Sequence, residues 1–178
     1  MDRLFVAIDV PEEIKIKFSE ISEKLSSLNA KVVPMENIHI TLKFIGETTK
    51  TKEILGILDK ITFKKFQICL KNVGVFPNTH APRVFWVGIE KNQEMESLFK
   101  IIERSLENIE IPKEKREFSP HITLARFKTI TNIQKLKEIL KAYNKDFGEF
   151  DVKEFILYKS ELAHPNPRYY PIKSFKLI

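Results

Sequence analysis

The sequence predicts a fold of strands and helices in two pseudo-symmetric lobes, each running β-α-β-α-β, with a cleft between them. Three observations carry this reading. The tetrapeptide His-Ile-Thr-Leu occurs twice, within Asn37 to Phe44 and within Ser119 to Arg126, with its histidines 82 residues apart. The elements around the two copies recur at nearly the same separation. No Pro-, Ser- or Gly-rich linker parts the halves, so they are expected to share one interface.

The elements follow in chain order. Leu4 to Val10 reads as a strand, and Pro11 suits the start of the helix that follows. That helix, Glu12 to Leu28, carries Ile14, Phe18, Ile21 and Leu25 at three- and four-residue steps. Then come the strand of the first tetrapeptide, a helical stretch from Thr51 to Ile61 and a long strand from Phe66 to Phe76. In the second half Val84 to Glu90 matches the first strand. Gln93 to Ile109 matches the first helix, with Leu98, Ile101, Ile102 and Leu106 on one face. The second tetrapeptide precedes a helix from Asn132 to Tyr143, a long strand from Phe150 to Leu162 and a last strand from Tyr170 to Leu177. The repeat therefore spans approximately residues 3–76 and 83–162 of a single domain, 1–178.

Composition bounds the function. The 178 residues hold 30 Lys and Arg against 24 Asp and Glu, a net charge of +6, which excludes a strongly acidic protein and helps attract an anionic partner. Cys69, the single cysteine, excludes an internal disulfide. No apolar run approaches the ~20 residues of a membrane span, and the N-terminal one is too short for a secretory signal. A cytoplasmic protein with no membrane partner is expected.

Side chains alternate along a strand, so His39, Thr41 and Lys43 should share one face while Ile38, Ile40, Leu42 and Phe44 face the core. The same parity places His121 and Thr123 together above Ile122 and Leu124. Two imidazoles flanking a cleft suit general acid-base catalysis, since a pKa near ~6.5 lets one act as acid while the other acts as base. The threonine hydroxyls can donate to the non-bridging oxygens of a phosphodiester held between them. This chemistry needs no metal or cofactor. The four histidines lack the close pairs typical of zinc sites, and His80 and His164 fall in proline-rich loops. There is no nucleophile elbow and no phosphate-cradling glycine loop.

At these residues the sequence resembles the two-histidine (2H) phosphoesterase superfamily, specifically the RNA 2′,3′-cyclic phosphodiesterases, historically called 2′-5′ RNA ligases (LigT-like). The likeness also covers Arg3 to Asp9, Ile45-Gly46-Glu47, Pro82 to Gly88 and Arg168 to Pro171. It implies a bilobal α+β fold with antiparallel sheets flanking the cleft, and opening of a 2′,3′-cyclic phosphate at an RNA end to leave a 2′-phosphate. It further implies that His39 is the proton donor to the departing 3′ oxygen and that His121 is the proton acceptor that activates water. Thr41, Thr123 and Arg126 would then bind phosphate. Strict alternation turns Arg126 toward the core unless its strand bulges. Tyr169, Arg168 and Phe5 are candidates to contact the nucleotide, with Trp86 as a further aromatic. Three other functions stay open on the residues alone: the reverse reaction, joining RNA ends through a 2′-5′ linkage; a non-catalytic RNA-end binding module; and a small-molecule role on cyclic phosphates of nucleotides or of ADP-ribose. A monomer is expected.

Overall fold

The structure, a computed structural model, describes residues 1–178. Its strands are β1 (Asp2–Asp9), β2 (Ala30–Val32), β3 (His39–Thr48), β4 (Phe66–Phe76), β5 (Val84–Ile89), β6 (His121–Phe127), β7 (Asp146–Val152), β8 (Glu154–Glu161) and β9 (Arg168–Lys176). The helices are α1 (Glu12–Lys15), α2 (Ser19–Ser26), α3 (Thr51–Leu58), α4 (Gln93–Glu107) and α5 (Ile133–Ala142). The first predicted helix is thus α1 and α2 joined through a 3₁₀ turn, Ile16–Phe18. Asn92 and Asn132 cap α4 and α5 by accepting hydrogen bonds from the amides of Met95 and Lys135.

All strand pairs are antiparallel, in the order β7-β4-β5-β6-β3-β1-β8-β9, with β2 beside β6. The predicted sheets are therefore continuous: Ile40 of β3 bridges Ile122 of β6. The third long strand of each half pairs with the first strand of the other, β4 with β5 and β8 with β1. Helix packing crosses the halves in the same way, α2 on α5 and α3 on α4.

The stretch expected as one strand, Phe150 to Leu162, is two. It breaks at Lys153, where β7 ends at one edge of the sheet and β8 begins near the other. A one-residue connection can join strands so far apart in the order only because the sheet curls strongly, into an antiparallel half-barrel. Near the same seam the amide of Lys65 donates to the carbonyl of Ile178, and that of Ile178 to the carbonyl of Phe63. One apolar core fills the space between this sheet and the helices, with Phe18, Phe85 and Phe155 fully enclosed. Burial of each such side chain stabilises the fold by about 1.5–3 kcal/mol.

Two bulges correct the parity expected of the motif strands. On β3, Lys43 pairs with Val6 and Thr41 with Ala7, which leaves Leu42 without a partner. On β6, Ala125 pairs with Phe85 and Thr123 with Trp86, which leaves Leu124 without one. Each extra residue lies three positions past its histidine and inverts the alternation beyond it. Lys43, expected beside His39 and Thr41, is instead buried at 4% exposure, and Phe44, expected in the core, is 49% exposed. Arg126, at the position equivalent to Phe44, likewise emerges on the cleft side.

Candidate active site

The Ile40–Ile122 bridge brings the two motifs together. Both isoleucines are fully buried, so the residues on either side of each point to the opposite face of the sheet. Antiparallel register from this bridge sets His39 across from Thr123 and Thr41 across from His121. The two imidazoles become diagonal neighbours on that face. All four side chains line a single cleft of about 340 Å³.

Each ring is fixed by a backbone carbonyl two residues earlier. His39 Nδ1 lies 2.7 Å from the carbonyl oxygen of Asn37, and His121 Nδ1 lies 2.8 Å from that of Ser119. A carbonyl only accepts, so both Nδ1 atoms carry the proton, and each Nε2 is left for chemistry. His39 Nε2 sits 3.0 Å from the Thr41 hydroxyl. Asn37, itself buried, donates from Nδ2 to the Pro167 carbonyl and so ties the start of β3 to the loop before β9.

The surroundings of the two rings differ. Phe5 packs against His39 at 5.0 Å, and Tyr169 meets its edge at 5.3 Å. Phe76 stands edge-on to His121 at 5.0 Å. Burial lowers the pKa of both imidazoles below the ordinary histidine value. The Asn37 carbonyl and the Asp9 carboxylate oppose that effect at His39, while the charges of His121 and Lys15 add to it. At His121 the Ser119 carbonyl opposes it and the Arg126 guanidinium adds to it.

The cleft gathers most of the residues that the sequence singled out. Thr41, Thr123, Arg126, Phe5 and Tyr169 line it with the histidines. Phe5 is only 4% exposed, wedged between Tyr158 and Tyr169 as well as His39. Arg168 is exposed in a shallower neighbouring groove with His164 and Tyr170, outside the main cleft. Trp86 also stands apart from it, packed on Phe76 with its edge against Gly74, where a β-carbon would come within 2.2 Å of the indole. No group of three or more His, Cys, Asp or Glu side chains converges as metal ligands, and His80 is exposed on its loop.

Among the lining residues that the sequence did not single out are Phe44, Arg3 and Lys31. Lys31 lies on β2, a strand too short to show as a pattern, directly across from Arg126. Arg3 stands 5.0 Å over the Phe44 ring. Arg3, Lys31 and Arg126 make the cleft cationic, and no carboxylate lines it. An anion placed between the histidines meets positive potential from both walls.

A curled antiparallel sheet that brings a His-x-Thr pair from each half of the chain to one cationic cleft defines the class of two-histidine phosphoesterases. Residues 10–163 match the 2′-5′ RNA ligase superfamily, and the chain belongs to that family. It is 43% identical over 176 residues to the RNA 2′,3′-cyclic phosphodiesterase of Methanocaldococcus jannaschii, covering 97% of this chain and 99% of that protein. Among solved structures it is similar to a Thermus thermophilus protein, with a TM-score of 0.83, 28% identity and coverage of 98% and 97% of the two chains. It is also similar to Escherichia coli LigT complexed with 3′-AMP, with a TM-score of 0.79, 26% identity and coverage of 99% and 98%. No helix is long and apolar enough to cross a membrane.

Proposed function

We propose that this chain is a hydrolase that opens the 2′,3′-cyclic phosphate at an RNA end to leave a 2′-phosphate, with His39 as general acid and His121 as general base. The observation that carries the proposal is the Ile40–Ile122 bridge, which sets both His-Thr pairs on one face of the sheet. Family membership and the full-length relative named an RNA 2′,3′-cyclic phosphodiesterase support the substrate class. The reading treats residues 1–178 as one unit built on the repeat of 3–76 and 83–162.

The cyclic phosphate binds between the histidines, with its non-bridging oxygens toward Thr41, Thr123 and Arg126. His121 Nε2 removes a proton from water, whose oxygen attacks phosphorus in line with the 3′ oxygen. The bond from phosphorus to the 3′ oxygen breaks, and that oxygen takes the proton from His39 Nε2. The 2′ oxygen keeps the phosphate. Protonation of His39 turns Nε2 into a donor, so the Thr41 hydroxyl, no longer donating to it, is free to donate to a phosphate oxygen.

The charges flanking the rings differ in a way this division of labour uses. At His39 the Asp9 carboxylate, itself paired with Lys15, favours the protonated ring against burial and the charges of His121 and Lys15. At His121 the Arg126 guanidinium adds to burial in favouring the neutral ring. All the groups used belong to one chain.

The test is incubation of the enzyme, in EDTA, with an oligoribonucleotide bearing a 2′,3′-cyclic phosphate, followed by phosphorus NMR of the end group. The expected product is the 2′-monophosphate. A 3′-phosphate would invert the assigned leaving group, and an unchanged end would remove the reaction itself.

A further inference from the structure

The two histidines are oriented by the same kind of contact, yet what steadies that contact differs between the strands. We infer that Asn37 is a positioning residue for the general acid: its carboxamide, tied to the loop before β9, holds the carbonyl that orients the His39 ring. The inference deepens the reaction proposed above and rests on its assignment of His39 as acid.

The carbonyl facing each Nδ1 belongs to the residue two positions earlier, Asn37 for His39 and Ser119 for His121. Where such an oxygen points depends on the backbone torsions on either side of its peptide bond. In the base strand the peptide runs into Pro120, whose ring fixes φ and restricts Ser119 to extended conformations. The acid strand has Ile38 at that place, with φ −72° and ψ 120° and no ring to hold it. Ser119 is exposed, whereas Asn37 is 7% exposed.

The bonds of Asn37 take the place of the proline. Its amide donates to the Pro34 carbonyl at 2.9 Å, and the amide of Ile38 donates to the Met35 carbonyl at 3.2 Å, which closes a 3₁₀ turn over Met35–Asn37. Bonds of a 3₁₀ turn have poorer geometry than those of an α-helix, so the turn alone is a weak hold. The carboxamide adds a distant anchor, with Nδ2 donating to the Pro167 carbonyl at 2.8 Å. Leu162, Asn166 and Pro167 of that loop line the cleft beside His39.

Loss of this anchor has a specific chemical consequence. The His39 ring has two polar contacts, Nδ1 to the Asn37 carbonyl and Nε2 to the Thr41 hydroxyl. A carbonyl only accepts, but a hydroxyl accepts as well as donates. Once the carbonyl swings away, the neutral ring can place its proton on Nε2 and donate to Thr41 instead. The ring then loses the orientation that aims Nε2 at the departing oxygen, and a misplacement of about 1 Å can cost about 10²-fold in rate.

The experiment uses Asn37→Leu, which keeps the volume and removes the donor, with Asn37→Ala as a second variant. Each is compared with wild type and His39→Ala on the cyclic-ended oligoribonucleotide and on its analogue with sulfur as the bridging 3′ atom. In the analogue the bond from phosphorus to sulfur breaks, and the sulfur departs as a thiolate that needs no proton. Asn37→Leu should lower kcat on the oxygen substrate by roughly 10- to 100-fold, with KM little changed, and should match wild type on the sulfur analogue. In ¹⁵N NMR of the imidazoles, recorded above their pKa values, the variant should turn His39 from the Nδ1–H form into a mixture of tautomers and leave His121 as it is. Equal losses on both substrates, or a His39 tautomer unchanged in both variants, would overturn the inference.

The spectrum needs no turnover, so the brace and the acid assignment fail separately. A tautomer change confined to His39 sustains Asn37 as its brace even where sulfur does not rescue His39→Ala, a result that would remove His39 as the acid. Rescue of His39→Ala without rescue of either Asn37 variant keeps the acid and removes the brace.

Discussion

The two motif strands share four residues and a bulge but differ at almost every contact beyond them. β3 continues from the bulge into Lys43 and Phe44, where β6 continues into Ala125 and Arg126. The inward position is a buried cation paired to Glu103 in one strand and a methyl group in the other. The outward position is an exposed phenyl ring in one and a guanidinium in the other. His39 feels a carboxylate, Asp9, as well as the charges of Lys15 and His121, whereas His121 feels the Arg126 guanidinium and no carboxylate. Repetition supplies two equivalent imidazoles, and the proposed division into proton donor and proton acceptor rests on their unequal neighbours.

The sharpest break of this comparison is removal of either ring. His39→Ala and His121→Ala should each lower kcat by roughly 10²- to 10⁴-fold, the usual worth of a positioned acid or base. Combining them should cost far less than the product of the single losses, since each group depends on the other. Both rings reach the cleft surface, so the far-ultraviolet circular dichroism and unfolding midpoint of each variant should stay close to wild type. A variant that keeps near-wild-type turnover would show that its ring is not in the reaction.

Next in size is the inward position. Lys43 is 3% exposed at its side chain and Glu103 6%, and Glu103 also accepts the amide of Glu114. Lys43→Met leaves that carboxylate buried without its cation and should destabilise the fold by about 3–5 kcal/mol in urea unfolding. Adding Glu103→Leu should recover much of the loss, because the pair is removed together and the cost of an isolated charge disappears. If Lys43→Met unfolds at the wild-type midpoint, the lysine does not hold β3 in its bulged phase.

The repeat makes much of this legible in the sequence. Periodicity located the helices, and two copies of His-Ile-Thr-Leu pointed to His39, Thr41, His121 and Thr123, all four of which the fold brings to one cleft. Alternation failed where backbone geometry departs from it. A strand read with period two cannot reveal a bulge, so alternation exchanges the faces of Lys43 and Phe44 and turns Arg126 inward. The stretch from Phe150 to Leu162 is continuous in composition and discontinuous in space, because its break at Lys153 is dictated by which strands it pairs with, β4 and then β1. Arg3 and Lys31 carry no local motif. They become site residues only through long-range pairing, Arg3 with Glu47 and Lys31 with Arg126.

The smallest expected effect tests the flanking charges, through the pH profile of kcat/KM. His39 as acid must hold a proton, so the rate falls as pH rises through its pKa. His121 as base must be free of one, so the rate falls as pH drops through its own. Burial lowers both pKa values, which sets both limbs of the bell to the acidic side of where ordinary histidines would place them. Asp9 raises the pKa of His39, so Asp9→Asn should move the alkaline limb to lower pH and leave the acidic limb in place. Arg126 lowers the pKa of His121, so Arg126→Gln should move the acidic limb to higher pH, alongside whatever loss in height follows from a missing phosphate contact. Each substitution thus narrows the bell, but from opposite ends. If Asp9→Asn shifted the acidic limb instead, the carboxylate would be acting on the base, and the roles of the two histidines would have to be exchanged.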